Sequence, residues 1–211
     1  MAARKMTHQA TAESKRAILE GVLSLAVEAG YEGTTMAAVA RASGLPIGSV
    51  YWHFQNKEQL FVELLDYCFE VWKEANPRSG TMRDRLRRSI ASSAAASGGT
   101  TDPAAAFWSI GLVFAFERRF ADNLARQRYL AIRAEMFELI TSHLQDEFPA
   151  LQEDAVRDLA RDIARMGRAL TDGFRVAAAA GDDTDFEHAA DMASDALEYL
   201  INTRISELAD A

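Results

Sequence analysis

The chain has 211 residues, 49% hydrophobic and 26% charged, with a formal net charge of −8; this is the profile of an ordinary globular protein and not of a disordered or low-complexity one. One cysteine excludes an intrachain disulfide, and 4 prolines and 12 glycines suit long helices better than many short strands. The charge is unevenly divided: residues 1–60 hold 6 Lys/Arg against 5 Asp/Glu, and residues 61–211 hold 17 against 26. The larger part would repel phosphates, which leaves only the N-terminal end for them.

Residues 1–12 are polar and lack the apolar run of a signal peptide. The first helix is expected over 12–28, where Ile18, Leu19, Val22, Leu23, Ala26 and Val27 recur at helical spacing. Gly30 stands where a glycine would stop it. Thr35 can cap a short second helix over 36–43, which faces Met36, Val39 and Ala40 inward. Gly44 then turns the chain, and Pro46 can open a third helix over 46–53. Asn56, with Gln59 three residues on, opens a fourth in the manner of a capping box. That helix carries Leu60, Phe61, Leu64, Leu65, Phe69 and Trp72 toward a second core, and Cys68 within it reads as a reduced core thiol.

Two short helices joined by a glycine turn and preceded by a longer one make the helix-turn-helix pattern, whose second short helix enters the DNA major groove. Here that helix carries Ile47, Gly48, Ser49, Tyr51, Trp52 and His53, with Val50 and Phe54 facing inward. Small residues admit close approach to base edges, and phenol, indole and imidazole donors can reach phosphate oxygens. The bland alternative is that Tyr51, Trp52 and His53 only seal a small core.

The stretch 18–60 resembles the DNA-binding domain of TetR-type, tetracycline-repressor-like regulators. The residues that carry the resemblance are Ala29-Gly30-Tyr31, Thr34-Thr35, Val39-Ala40, Ala42-Ser43-Gly44-Leu45, Gly48-Ser49-Val50-Tyr51, His53-Phe54 and Asn56-Lys57-Glu58-Gln59-Leu60, together with Ile18-Leu19. The resemblance implies base contacts from Ile47, Gly48 and Ser49, and phosphate contacts from Thr35, Tyr51, Trp52, His53 and Lys57. It also implies double-stranded operator DNA as partner, a homodimer, and a small apolar or amphipathic effector. Two positions depart from the family pattern. Pro46 lacks the hydroxyl many members carry there, and Ile47 offers only apolar contact, so base preference does not carry over.

Beyond residue 60 the expected body, 61–211, is helical, which makes the whole chain all-α with a helix-turn-helix domain at 1–60. A helix over 81–98 begins with Arg83, Arg85, Arg87 and Arg88, and reads as a solvated face interrupted by Asp84. A loop at 97–102 and Pro103 lead into 103–116, a helix so apolar that burial on every side is expected. It is too short to cross a bilayer and ends in Glu117, Arg118 and Arg119, so the protein is expected to be cytoplasmic, with no membrane partner. A long helix follows over 122–148, and two more close the chain over 151–180 and 186–208.

The last two helices carry small residues on one face, and a four-helix dimer bundle is expected on Ala164, Gly167, Thr171, Ala193, Leu197, Leu200 and Ile201. Asp172-Gly173-Phe174 resembles a short motif common on the family's penultimate helix. Candidate effector-pocket residues are Tyr67, Phe107, Trp108, Phe114, Met136, Phe137, Met166 and Phe174, each as readily a plain core residue. Asp182, Asp183 and Asp185 form the one carboxylate cluster and read as a polar cap for the last helix, with neither a metal nor a cofactor expected. No nucleophile triad, P-loop or dinucleotide fingerprint is present, so no enzyme is expected. The rival reading is a helical small-molecule-binding or catalytic protein that uses no DNA. A third reading is activation of transcription in place of repression.

Overall fold

The computed structural model describes residues 2–77, 79–94, 101–183 and 185–210, with side chains from residue 10 onward except at 92–94, 178 and 179. Among these residues there are nine α-helices, a single 3₁₀ turn and no strand. The helices are α1 (Ala2–Gly33), α2 (Met36–Ser43), α3 (Ile47–His53), α4 (Lys57–Ala75), α5 (Met82–Ala94), α6 (Pro103–Phe116), α7 (Leu124–Glu147), α8 (Glu153–Ala180) and α9 (Phe186–Ala209). The 3₁₀ turn, Arg118–Phe120, lies between α6 and α7. The expected all-α class is what the chain adopts. α1 starts ten residues before the expected start at residue 12, and its helical geometry breaks at Gly30, where the expected stop lies. The end of the helix expected over 81–98, and residues 97–100 of the loop after it, lie outside the described residues.

The chain divides into two compact units, Met1–Val71 with Gly99–Tyr129, and Trp72–Gly98 with Leu130–Ala211. In the first, α1 packs on α2, α3 and α6. Ile18, Val22, Val39, Val50, Phe54, Leu60, Phe61 and Leu64 are wholly removed from solvent there, and each such side chain contributes about 1.5–3 kcal/mol of hydrophobic stabilisation. Cys68 is also buried, and that burial, reinforced by Asp102, pushes its thiol up to about 12. In the second unit, α5, α8 and α9 meet in pairs. Val156, Leu159, Ala160 and Ile163 of α8 form one stripe that packs against Ala190, Ala193, Leu197 and Ile201 of α9.

Two expectations change on contact with the structure. α6 is not buried on every side: Val113 and Phe116 near its C-terminal end are exposed, although Ala104 to Trp108 are not. The arginine run of α5 is not a freely solvated face either. Arg83 and Arg87, one turn apart, pair with Asp191 and Asp195 of α9, and Arg87 also reaches Glu187. Arg85 pairs with Glu147 of α7, and Arg88 donates to the carbonyls of Pro77 and Ser79. The α9 acids stand at four-residue spacing opposite arginines at the same spacing, so the two helix faces match turn for turn.

In the first unit α6 passes so close to α7 that no side chain fits between them. A Cβ at Gly111 would lie 2.0 Å from Cε2 of Tyr129, whose ring is fully buried. Gly111→Ala is therefore expected to cost about 1–3 kcal/mol by overpacking, read as a fall of several degrees in the thermal midpoint. A melting curve unchanged from that of the unsubstituted protein would contradict the packing described.

Candidate nucleic-acid interface

The three elements that form the candidate interface are each closed by local chemistry. Thr35, extended at φ −111° and ψ 153°, caps α2 by accepting the Ala38 N–H at 3.1 Å. At the other end Gly44 adopts φ 68°, ψ 17°, a left-handed conformation that a β-carbon disfavours. Its N–H donates to the Arg41 carbonyl, and the Leu45 N–H donates to the Ala40 carbonyl at 3.2 Å. This paired closure fixes the direction in which the chain leaves α2. Pro46 then precedes α3 without a side-chain cap, and the Ser49 N–H donates to its carbonyl at 2.8 Å. Asn56 accepts the Gln59 N–H, while the Gln59 side chain reaches back to the Gln55 N–H, which opens α4.

α3 has a sharply two-sided character. Val50 and Phe54 are 0% exposed, whereas Ile47, Tyr51 and Trp52 are 47%, 52% and 71% exposed. Gly48 is exposed and Ser49 half-buried, and a Cβ at Gly48 would meet nothing within 4 Å. Trp52 and His53 touch edge to face, with ring centroids 4.6 Å apart. Burial, helped by nearby Lys15, lowers the His53 imidazole below its ordinary value, so it is neutral at pH 7 and carries one N–H donor.

Lys57 lies in the first turn of α4, but its ammonium is not free at the surface. It sits 4.0 Å from the centre of the Tyr31 ring and 3.9 Å from a Glu32 carboxylate oxygen. Burial lowers its pKa, Glu32 opposes that shift, and Arg119 adds to it. Tyr31 itself is ringed edge to face by Phe61, Phe114 and Phe120 at 4.7–5.2 Å. Asn123, buried at the start of α7, donates to the Tyr31 hydroxyl at 3.3 Å and to Glu58 at 3.2 Å, and it accepts the Ala125 N–H at 2.9 Å. The sequence reading missed this residue; its only signal is an asparagine just ahead of a helical stripe.

The other expected residues fall elsewhere. Of the pocket candidates, Met136 alone lines a cavity of about 280 Å³ in the second unit. Phe107 and Trp108 stack within the first unit beside Phe69 and Tyr129, and Phe114 belongs to the Tyr31 cluster. Tyr67 lies near Arg16 and Glu20, Phe137 near Arg161, Met166 is exposed, and Phe174 packs against the second core. Of the expected dimer residues, Ala193, Leu197 and Ile201 are buried in the protomer's own core, with Leu200 packed against it. Ala164 and Thr171 are also buried, and the Thr171 hydroxyl donates to the Gly167 carbonyl. A Cβ at Gly167 would lie 3.7 Å from Cδ1 of Leu197 on α9. The apolar side chains those helices leave exposed are Met166, Val176, Met192 and Tyr199. Asp185 caps α9 by accepting the His188 N–H, and no group of metal-ligating residues occurs among the described residues. None of the described helices is long and apolar enough to cross a membrane.

A short helix, anchored on one side and presenting exposed aromatic and small residues on the other, defines a helix-turn-helix module. Residues 18–64 match the family of bacterial regulatory proteins described as tetR. The HTH-type transcriptional regulator AcrR of Shigella flexneri is 39% identical over 60 residues, a match covering 28% of this chain and 28% of that relative. Solved structures share the fold over most of this chain, two of them as follows. The NalD secondary repressor of the MexAB-OprM multidrug efflux pump in Pseudomonas aeruginosa has a TM-score of 0.60 at 22% identity, over 90% of this chain and 96% of that one. The regulator FadR of Bacillus subtilis, in complex with stearoyl-CoA, has a TM-score of 0.61 at 16% identity, over 86% and 96%. The likeness to that family thus lies in residues 18–64, and the chain spans about a quarter of the length of the curated relative it matches.

Asn123→Ala is expected to destabilise the protein by about 1–2 kcal/mol, since a cap and a buried hydrogen bond are lost together. Asn123→Asp keeps the cap but sets a second carboxylate beside Glu58. Its deficit should shrink as pH falls through the ordinary carboxylate range, and thermal melts at pH 7 and pH 4 compare the two variants.

Proposed function

We propose that the protein is a sequence-specific DNA-binding transcriptional regulator, a repressor that acts as a homodimer on a palindromic operator and is released by a bound ligand. The observation that carries this reading is the exposure of Ile47, Tyr51 and Trp52 on a helix whose opposite face is fully buried. Water offers no reason for such a face, whereas a major groove does. Ile47, Gly48 and Ser49 are assigned to base edges. Thr35, Tyr51, Trp52, His53 and Lys57 are assigned to phosphates, with Lys57 beside the exposed N–H groups that open α4. The names of AcrR as a transcriptional regulator and NalD as a repressor support the class.

The dimer is assigned to the exposed faces of α8 and α9, where Met166, Val176, Met192 and Tyr199 would be covered by a second copy. Two recognition helices would then read half-sites about 34–36 Å apart, or a multiple of that spacing. α4 supplies Lys57 to the first unit and Trp72 to the second, so it is the element through which a ligand would act. A ligand that binds better to the DNA-incompetent state lowers operator affinity by its differential affinity for the two states.

The test is binding to the DNA upstream of the protein's own gene, with log affinity followed against log salt. Gly48→Ala should leave the melting temperature unchanged or raised, because nothing lies within 4 Å of the added carbon, yet weaken specific binding by about 1–3 kcal/mol through the lost close approach. Lys57→Ala should flatten the salt slope, whereas Tyr51→Phe should weaken binding and leave the slope unchanged. Tyr199→Glu should shift the protein to monomer in sedimentation and weaken operator binding with it. Equal affinity of the unsubstituted protein for operator and scrambled DNA would exclude the reading.

A further inference from the structure

Two cations of the first unit share one carboxylate beside the aromatic hub at Tyr31. The Lys57 ammonium lies 4.0 Å from the centre of the Tyr31 ring and 3.9 Å from one oxygen of Glu32. The other oxygen of that carboxylate pairs with the Arg119 guanidinium at 3.2 Å. Glu32 therefore bridges the two cations, one oxygen to each. Arg119 belongs to the 3₁₀ turn after α6 and lies outside residues 18–64.

Packing fixes that turn in place. Phe120 is buried and meets the Tyr31 ring edge to face at 5.0 Å. The Arg119 guanidinium stands 4.8 Å from the centre of the Phe120 ring and also pairs with Glu117. Lys57 and Arg119 each rest on a ring of the same cluster, with Glu32 between them. Cations restrained in this way have little freedom left to lose when a partner arrives.

A phosphate that takes the Lys57 ammonium must displace Glu32 from it. Left unpaired, that carboxylate would face a second anion across a short distance, at a contact from which water is partly excluded. Arg119 prevents this. It already holds the other oxygen, so Glu32 can give up Lys57 without losing its counter-charge.

We infer that Arg119 is a positioning residue for DNA binding: it retains Glu32 when a backbone phosphate engages Lys57. The inference rests on the assignment of Lys57 to a phosphate, and it brings in a residue from outside the helix-turn-helix. Arg119 acts through Glu32 and not by touching the duplex.

The test is a double-mutant cycle on the full-length protein, with affinity measured at low salt for the upstream operator and for a scrambled duplex. Arg119→Gln should weaken operator binding about three- to tenfold over two half-sites. Glu32→Gln should tighten it about two- to fivefold. In the Glu32→Gln background, Arg119→Gln should cost at most about twofold, because the carboxylate it restrains is gone. Arg119→Lys keeps the charge and should recover most of the affinity. Glu32 and Arg119 are both more than half exposed, so neither change empties the core. A direct phosphate contact by Arg119 requires the same loss in both backgrounds, and that result would overturn the inference. So would an unchanged operator affinity in Arg119→Gln.

A second readout needs no DNA. Followed by NMR, the Lys57 ammonium should titrate higher in Arg119→Gln, where a like charge is removed and Glu32 has lost its other partner, and lower in Glu32→Gln. A Lys57 titration indifferent to Arg119→Gln would show the charges uncoupled and would also overturn the inference. Equal affinity of the unsubstituted protein for operator and scrambled DNA would remove the DNA-binding reading and this inference with it. Specific binding with no coupling in the cycle would remove the inference alone.

Discussion

A helix of seven residues cannot hold itself together in water, because so short a segment does not recover the cost of nucleation. α3 exists because Val50 and Phe54 are taken completely out of solvent. Those two anchors set the rotation of the helix about its axis. That rotation decides which side chains face outward. The closure at Gly44 sets the direction in which the chain reaches α3, and the Asn56–Gln59 arrangement sets how it leaves. The exposed set, Ile47, Gly48, Tyr51 and Trp52, is thus a consequence of packing on the other side.

The second constraint is the aromatic hub at Tyr31. Three phenylalanines hold the ring edge to face, from α4, α6 and the 3₁₀ turn, and Asn123 holds its hydroxyl from the start of α7. Lys57 rests on the same ring. A residue that sequence comparison would treat as a long, mobile surface cation is already restrained, with its charge balanced in part by Glu32. A phosphate reaching that site would compete with a carboxylate and would gain an ammonium that has little freedom left to lose.

Much of this was legible in the residue order. Glycine and cap positions at Gly30, Thr35, Gly44 and Asn56 mark local conformations, which depend on neighbours in the chain, and the helices begin or end there. The inward assignment of Val50 and Phe54 followed from the spacing alone. What could not be read were choices between faces of comparable character. Leu197 and Ala193 look equally suited to a partner chain or to α8 of the same chain, and only the three-dimensional path selects α8. Aromatic residues misled in a similar way. Phe107, Trp108 and Phe114 have the chemistry of a ligand pocket, yet Phe107 packs on Trp108 and Phe114 on Tyr31, while the cavity described above is walled largely by aliphatic residues and edged by Lys73 and Arg85. The arginines of α5 could have been paired with Glu187, Asp191 and Asp195 from their common four-residue step, a signal carried by two distant segments at once.

That arginine–carboxylate ladder has a consequence for the conditions under which the protein works. α5 forms part of the cavity wall through Met82, Leu86 and Ser89, and much of its attachment to α9 is through partly exposed charge pairs. Such pairs weaken as mobile ions accumulate around them. Ionic strength would therefore act at both ends of the chain: on any contact α3 makes with a polyanion, and on how firmly one wall of the cavity is held shut. Salt concentration would thereby reach two separate parts of the chain at once.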